Sequence, residues 1–147
     1  RGFLRASLYL KDTYMRPIQS LGLIAIVVPT YDEGIAFYVD QLGFDLVQDE
    51  DQGGGKRWVV VRPHGGAGAD ILLAQAKGAD QHAAIGNQTG GRVGFFLNTD
   101  DFASDHARMI AAGVHFEEAP RHEPYGTVAV FRDTFGNRWD LLEYASR

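Results

Sequence analysis

The sequence predicts an α+β domain of two tandem β-α-β-β-β modules, whose strands form a curved, mixed eight-stranded sheet with the helices on its outer face. Three observations carry this expectation. Apolar runs of strand length alternate with two segments of helical period, and glycine or proline punctuates most boundaries. Landmarks also recur at a nearly constant interval: Thr30 to Thr99 is 69 residues, and Gly43 to Gly113 and Gly66 to Gly136 are each 70. So long a period in only two copies marks a paired module and not a solenoid array.

The elements follow in order. Residues 21–29 form a β-branched run ended by Pro29. Thr30 lies three residues before Glu33, the spacing of a capping box, and opens a helix over about 31–42. Ile35, Tyr38 and Leu42 keep helical spacing, and Gly43 supplies the stop. Strands are expected at 44–48, 57–62 and 70–75, separated by glycine-rich turns. After a polar stretch, 77–91, the order repeats: a strand at 92–98, a cap at Asp100 or Asp101, and a helix over about 102–112 stopped by Gly113. Strands at 114–118, 127–133 and 138–144 complete the second copy. The domain is expected over 18–147, with modules at about 18–76 and 91–145 and an extension at 1–17.

Alternation along each strand assigns faces. In the last strand Trp139 and Leu141 point one way, and Arg138, Asp140, Leu142 and Tyr144 the other. In 92–98, Val93, Phe95 and Leu97 suit the helix side, leaving Arg92, Gly94, Phe96 and Asn98 opposite. Two such sheets would enclose a groove of mixed polar and apolar lining, the usual character of a small-molecule pocket.

Composition narrows the function. The chain has 147 residues and a formal net charge of −5, which argues against a nucleic-acid partner. With no cysteine there is no disulfide, thiolate ligand or Cys nucleophile. No run approaches the ~20 apolar residues of a membrane span, and the first residues are too interrupted by charge for a signal sequence. A cytoplasmic location is the expectation. The five histidines are scattered with no i,i+4 or H-x-H pair, and neither glycine run matches a phosphate loop. No G-x-S-x-G motif marks a serine hydrolase.

Two stretches are recognisable. Val27-Val28-Pro29-Thr30-Tyr31-Asp32-Glu33-Gly34-Ile35-Ala36-Phe37-Tyr38, running on to Leu42-Gly43-Phe44, resembles the first module of the vicinal oxygen chelate superfamily. Phe131-Arg132-Asp133-Thr134-Phe135-Gly136-Asn137-Arg138-Trp139-Asp140-Leu141-Leu142-Glu143 resembles the end of its second module. That superfamily includes glyoxalase I, bleomycin- and fosfomycin-resistance proteins and extradiol dioxygenases. The resemblance covers about 18–144 and is specific for the fold and weak for the substrate.

The resemblance implies a divalent metal held by four inward positions, two per module. They fall at Leu23, near Asp70, at Arg92 and at Asp140. Leu23 cannot ligate and Arg92 repels a cation, so no metal and no cofactor is expected at a site that normally needs three or four protein ligands. Arg92 and Asp140 would both face the groove. They form either a buried ion pair or a functional couple, in which Arg92 grips an anionic or carbonyl group and Asp140 orients it or acts as a base. Leu23, Asp70, Arg92, Phe96, Tyr125, Phe131 and Asp140 are the expected ligand-binding residues, with Trp139 in the core. The expected function is a glyoxalase- or bleomycin-resistance-like protein with an incomplete metal site, binding or sequestering a small molecule. The alternatives are a metal-dependent lyase or dioxygenase of the same superfamily, or a metal-free enzyme using Asp140 and Arg92. A homodimer is expected, with 1–15 packed across or beside its interface.

Overall fold

The computed structural model describes residues 15–146; the expected packing of the segment before Met15 lies outside the described residues. Strand β1 (Leu23–Val28) runs parallel to β4 (Asp70–Gln75). Strands β2 (Asp45–Asp51) and β3 (Arg57–Arg62) complete a sheet of order β1-β4-β3-β2. In the second half β5 (Phe95–Asn98) runs parallel to β9 (Arg138–Tyr144), followed across the sheet by β8 (Gly126–Arg132). The short strands β6 (His115–Phe116) and β7 (Arg121–Glu123) both pair with β8. The α+β class and the repeated module are as the sequence predicts. The strands divide into two sheets of four and five instead of one sheet of eight.

The first helix, α1 (Tyr31–Ile35), is capped by Thr30 as expected, with Glu33 turned to the Thr30 hydroxyl and not to its backbone N–H. The Thr30 hydroxyl accepts from the Glu33 N–H at 3.2 Å and donates to its carboxylate at 2.9 Å. The chain then widens into a π-turn segment, Ala36–Gln41, in which the Leu42 N–H reaches the Phe37 carbonyl at 2.8 Å. The wider turn buries two successive aromatics, Phe37 and Tyr38, together with Leu42. A short helix, α2 (Gly78–Ala84), interrupts the polar stretch between the modules, and α3 (Phe102–Ala111) belongs to the second. Asp101 caps α3 through the Ser104 N–H at 3.1 Å, and Glu143 on β9 takes the Phe102 N–H at 2.7 Å. Gly43 and Gly113 end the helices at φ 86° and 89°, a conformation that disfavours any side chain.

The helix-bearing faces of the two sheets share one core. Ile26, Val28, Val59, Val61, Ile71 and Leu73 from the first sheet join Ala129, Phe131, Trp139 and Leu141 from the second, with Tyr38, Phe44 and Met109 between them. Tyr38 and Phe44 on the first module meet Trp139 on the second at ring centroid distances of 5.8 and 6.0 Å. Beneath these rings the Tyr38 hydroxyl donates to Asp133 at 2.5 Å. Asp133 also accepts from the backbone N–H of Phe135, Gly136 and Asn137 and from the Asn137 amide, at 2.7–3.0 Å. Burial, then the adjacent Asp133 charge, pushes the Tyr38 hydroxyl well above its ordinary range and keeps it a donor.

The linker closes the seam between the modules. The Gln88 amide accepts from the Val27 N–H at 2.9 Å and donates to the Ala25 carbonyl at 2.7 Å, occupying the outer edge of β1 as a strand residue would. A side chain at Gly86 would strike the Phe135 carbonyl, so only glycine lets the linker lie against the β8–β9 turn.

The Tyr38–Asp133 bond crosses between modules inside a dry core, where a hydrogen bond to a charged group is most effective. Tyr38→Phe keeps the ring and removes only this donor. We expect it to lower the unfolding free energy by about 1–2 kcal/mol, read as a lower urea midpoint with unchanged slope. An unchanged midpoint would show that the bond adds no stability.

Candidate functional site

Because the helices occupy the shared core, each sheet turns its other face away from it. On the second sheet that face carries Asp140, with Arg138 and Leu142 two residues to either side on β9, and Phe96 and Val130 beside it in register on β5 and β8. Phe96 is 59% exposed and Tyr144 61%. The Asp140 Oδ1 atom is enclosed with no hydrogen-bond partner among the described residues. Burial raises the pKa of Asp140; Arg121 opposes that rise, Glu118 adds to it, and Arg138 opposes it more weakly.

The arginines near Asp140 already have carboxylates of their own. Arg121 reaches Glu118 at 3.0 Å and Glu123 at 2.9 Å. Arg138 meets Glu117 at 2.8 Å, and Arg132 pairs with the same carboxylate. Tyr125 is half exposed beside Arg121.

On the first sheet the Leu23 position lies opposite Asp70 in the β1–β4 register. Both oxygens of Asp70 are taken by the Arg62 fork, at 2.7 and 2.8 Å. This pairing lowers the Asp70 pKa.

Three sequence expectations need correction. Arg92 and Asp140 form no ion pair among the described residues: Arg92 precedes β5, is exposed, and the β5 residue beside Asp140 is Phe96. Phe131 lies in the core and not on the open face, because it pairs directly with Trp139 and direct partners share a face. The strand gave no parity signal, since Val128, Ala129, Val130 and Phe131 are all apolar and all buried. Asp70 is also not the structural counterpart of Asp140. The core pair Val59–Leu73 matches Phe131–Trp139, so one step further on β4 is Ala74. The 70-residue count overshoots by four where the β3–β4 and β8–β9 turns differ in length.

A cleft of about 400 Å³ lies elsewhere, between the end of the first helical segment at Leu42–Phe44, the turn at 63–66 and Arg108 on α3. Its polar groups largely satisfy one another. Thr99 donates to Asp105 at 2.6 Å, and Arg108 donates to the Leu42 carbonyl at 3.1 Å and to Asp105 at 3.3 Å.

The fold is that of a known group of proteins. The family model of the Glyoxalase/Bleomycin resistance protein/Dioxygenase superfamily matches residues 20–141. The chain belongs to this superfamily. A protein of Shewanella frigidimarina is 55% identical over 126 residues, covering 85% of this chain and 93% of its own length. The crystal structure of UcmS2 superposes with a TM-score of 0.74 at 28% identity, covering 86% of this chain and 98% of that one. That of TnmS3, described as an antibiotic binding protein from Streptomyces sp. CB03234, gives 0.70 at 30% identity, covering 88% and 99%.

The residues do not fit the metal that the superfamily resemblance implies. Leu23 has no donor atom, Arg92 is a cation, Asp70 is neutralised by Arg62, and Asp140 remains as a single carboxylate. Among the described residues no three His, Asp or Glu side chains converge as a metal-binding group.

Strand alternation places Arg138 on the face of Asp140 but gives it no part in the site. Arg121, Glu117 and Glu118 are not among the expected site residues: the strand expected at 114–118 is only His115–Phe116, and β7 is too short for a periodicity. Arg138 foremost, and then Arg132, hold Glu117 down from 4.5 to about 2. Its folded pKa lies below its unfolded value, so the stabilisation is complete above about 4.5 and disappears as pH falls through about 2. Glu117→Gln is expected to cost on the order of 1 kcal/mol at neutral pH after solvent screening, with the loss shrinking in acid. Denaturant titrations at neutral and acidic pH check this, and an unchanged acid sensitivity in the variant would contradict it.

Proposed function

We propose that this protein is a metal-independent small-molecule-binding member of its superfamily, which holds or sequesters its ligand on the open face around Asp140. The observation that carries the reading is a sheet face on which exposed Phe96 and Tyr144 flank an enclosed carboxylate whose Oδ1 has no hydrogen-bond partner among the described residues, against a ligand set unfit for a metal. Its likeness to TnmS3, described as an antibiotic binding protein, supports binding over turnover. An open face encloses nothing by itself, so we further propose that a second copy covers it and that the protein works as a homodimer. Exposed Leu23, Phe96 and Tyr144 on the open faces support such a cover.

One observation favours a second reading. A half-buried carboxyl whose pKa burial has raised is also suited to taking a proton, so a metal-free enzyme using Asp140 as base is the alternative. Arg92 has no part in that alternative, since it lies away from Asp140.

Thermal-shift screening of small-molecule libraries, followed by turnover assays on the hits, separates the two. We expect hits that raise the melting temperature and return unchanged after prolonged incubation. Conversion of any hit at a rate abolished by Asp140→Asn would make the protein an enzyme. Light scattering at micromolar concentration should give the mass of two chains; a monomer would remove the homodimer.

A further inference from the structure

Building on the binding reading above, we infer that the Asp140 face selects a planar aromatic ligand carrying a positive charge, such as a protonated amine or amidine on a fused-ring frame. Charge and shape both point this way. Among the described residues Arg121, Arg132 and Arg138 gather on and beside this face with four carboxylates, and each of these three arginines is already matched. Arg121 is held between Glu118 and Glu123, while Arg132 and Arg138 share Glu117. One negative charge is left over, and it belongs to Asp140, whose Oδ1 atom is enclosed with no hydrogen-bond partner among the described residues.

An anionic ligand would have to detach an arginine from its carboxylate, and a neutral one would leave Asp140 as it stands. A cation gives Asp140 the partner it lacks, which offsets the cost of a partly enclosed unpaired charge. Phe96 supplies the flat apolar surface. It stands beside Asp140 in register and is mostly exposed, so a ring stacked on it brings its charged substituent within reach of the carboxylate. Arg92 forms no ion pair with Asp140 among the described residues: it precedes the strand, four residues before the Phe96 that stands beside Asp140.

Three tricyclic probes of matched shape test this on the full chain: cationic 9-aminoacridine, neutral acridone and anionic acridine-9-carboxylate, each titrated by fluorescence. We expect 9-aminoacridine to bind about tenfold tighter than acridone, and the carboxylate weakest. Asp140→Asn should bring the affinities for 9-aminoacridine and acridone to within about twofold of each other, erasing the preference for the cation. Phe96→Ala, a change at an exposed position, should weaken the cation and acridone alike and preserve the preference between them. Acridone or the carboxylate binding as tightly as the cation would overturn the charge assignment and leave the binding reading intact. A preference that survives Asp140→Asn would do the same. If none of the probes binds, the inference is overturned, and the library screen alone then judges the binding reading.

Discussion

The hydrogen bond from Tyr38 to Asp133 joins the two modules at the heart of the molecule, beside their shared apolar core. It is made possible by the π-turn, which lets adjacent Phe37 and Tyr38 both turn inward. It is anchored at the other end by an Asp133 carboxylate that also gathers three backbone N–H groups of the β8–β9 turn. The turn, and through it the register of β9, is therefore tied to the first helical segment. Trp139 lies under Tyr38, and Asp140 follows it on the opposite face of the strand. The clamp that closes the core thus also sets where Asp140 stands.

Packing the helix-bearing faces together leaves the other two faces turned away from the core. On the first of these the carboxylate has been neutralised: Arg62 grips Asp70 with both arms of its fork. On the second, three arginines are matched to Glu117, Glu118 and Glu123, and Asp140 is left over. The two sheets therefore descend from one module plan but offer different surfaces, one closed in charge and one open. The cleft near Arg108 is more concave, yet its polar groups bond largely to one another and leave little for a ligand.

Much of the fold was legible in the sequence where physics leaves a pattern. The bounds of β3, β4 and β9 coincide with the apolar runs, and both helix starts follow from Thr30 and Asp101. What escaped has no pattern to read. Strand β7 is Arg121-His122-Glu123 without an apolar residue, and α2 is an exposed helix with no buried face. The site was half legible. Alternation put Asp140, Arg138 and Phe96 on one side of their strands, but the neighbour of Asp140 depends on register, which alternation does not fix. Counting by the repeat made Asp70 the first-module counterpart of Asp140, and the superfamily resemblance brought Arg92 towards it, whereas the register sets Asp140 between Phe96 and Val130. Phe131 was misplaced because a strand buried on both faces shows no alternation.

Charge left over on the open face of the second sheet, and charge satisfied in the cleft between the modules, together make the open face the proposed place for a ligand. The most direct test is to record backbone and side-chain NMR shifts on titration with the tightest ligand found by screening. Perturbed resonances should cluster at Phe96, Arg121, Val130 and Asp140. Perturbations centred on Gly43, Pro63 and Arg108, with the Asp140 face unmoved, would contradict this placement.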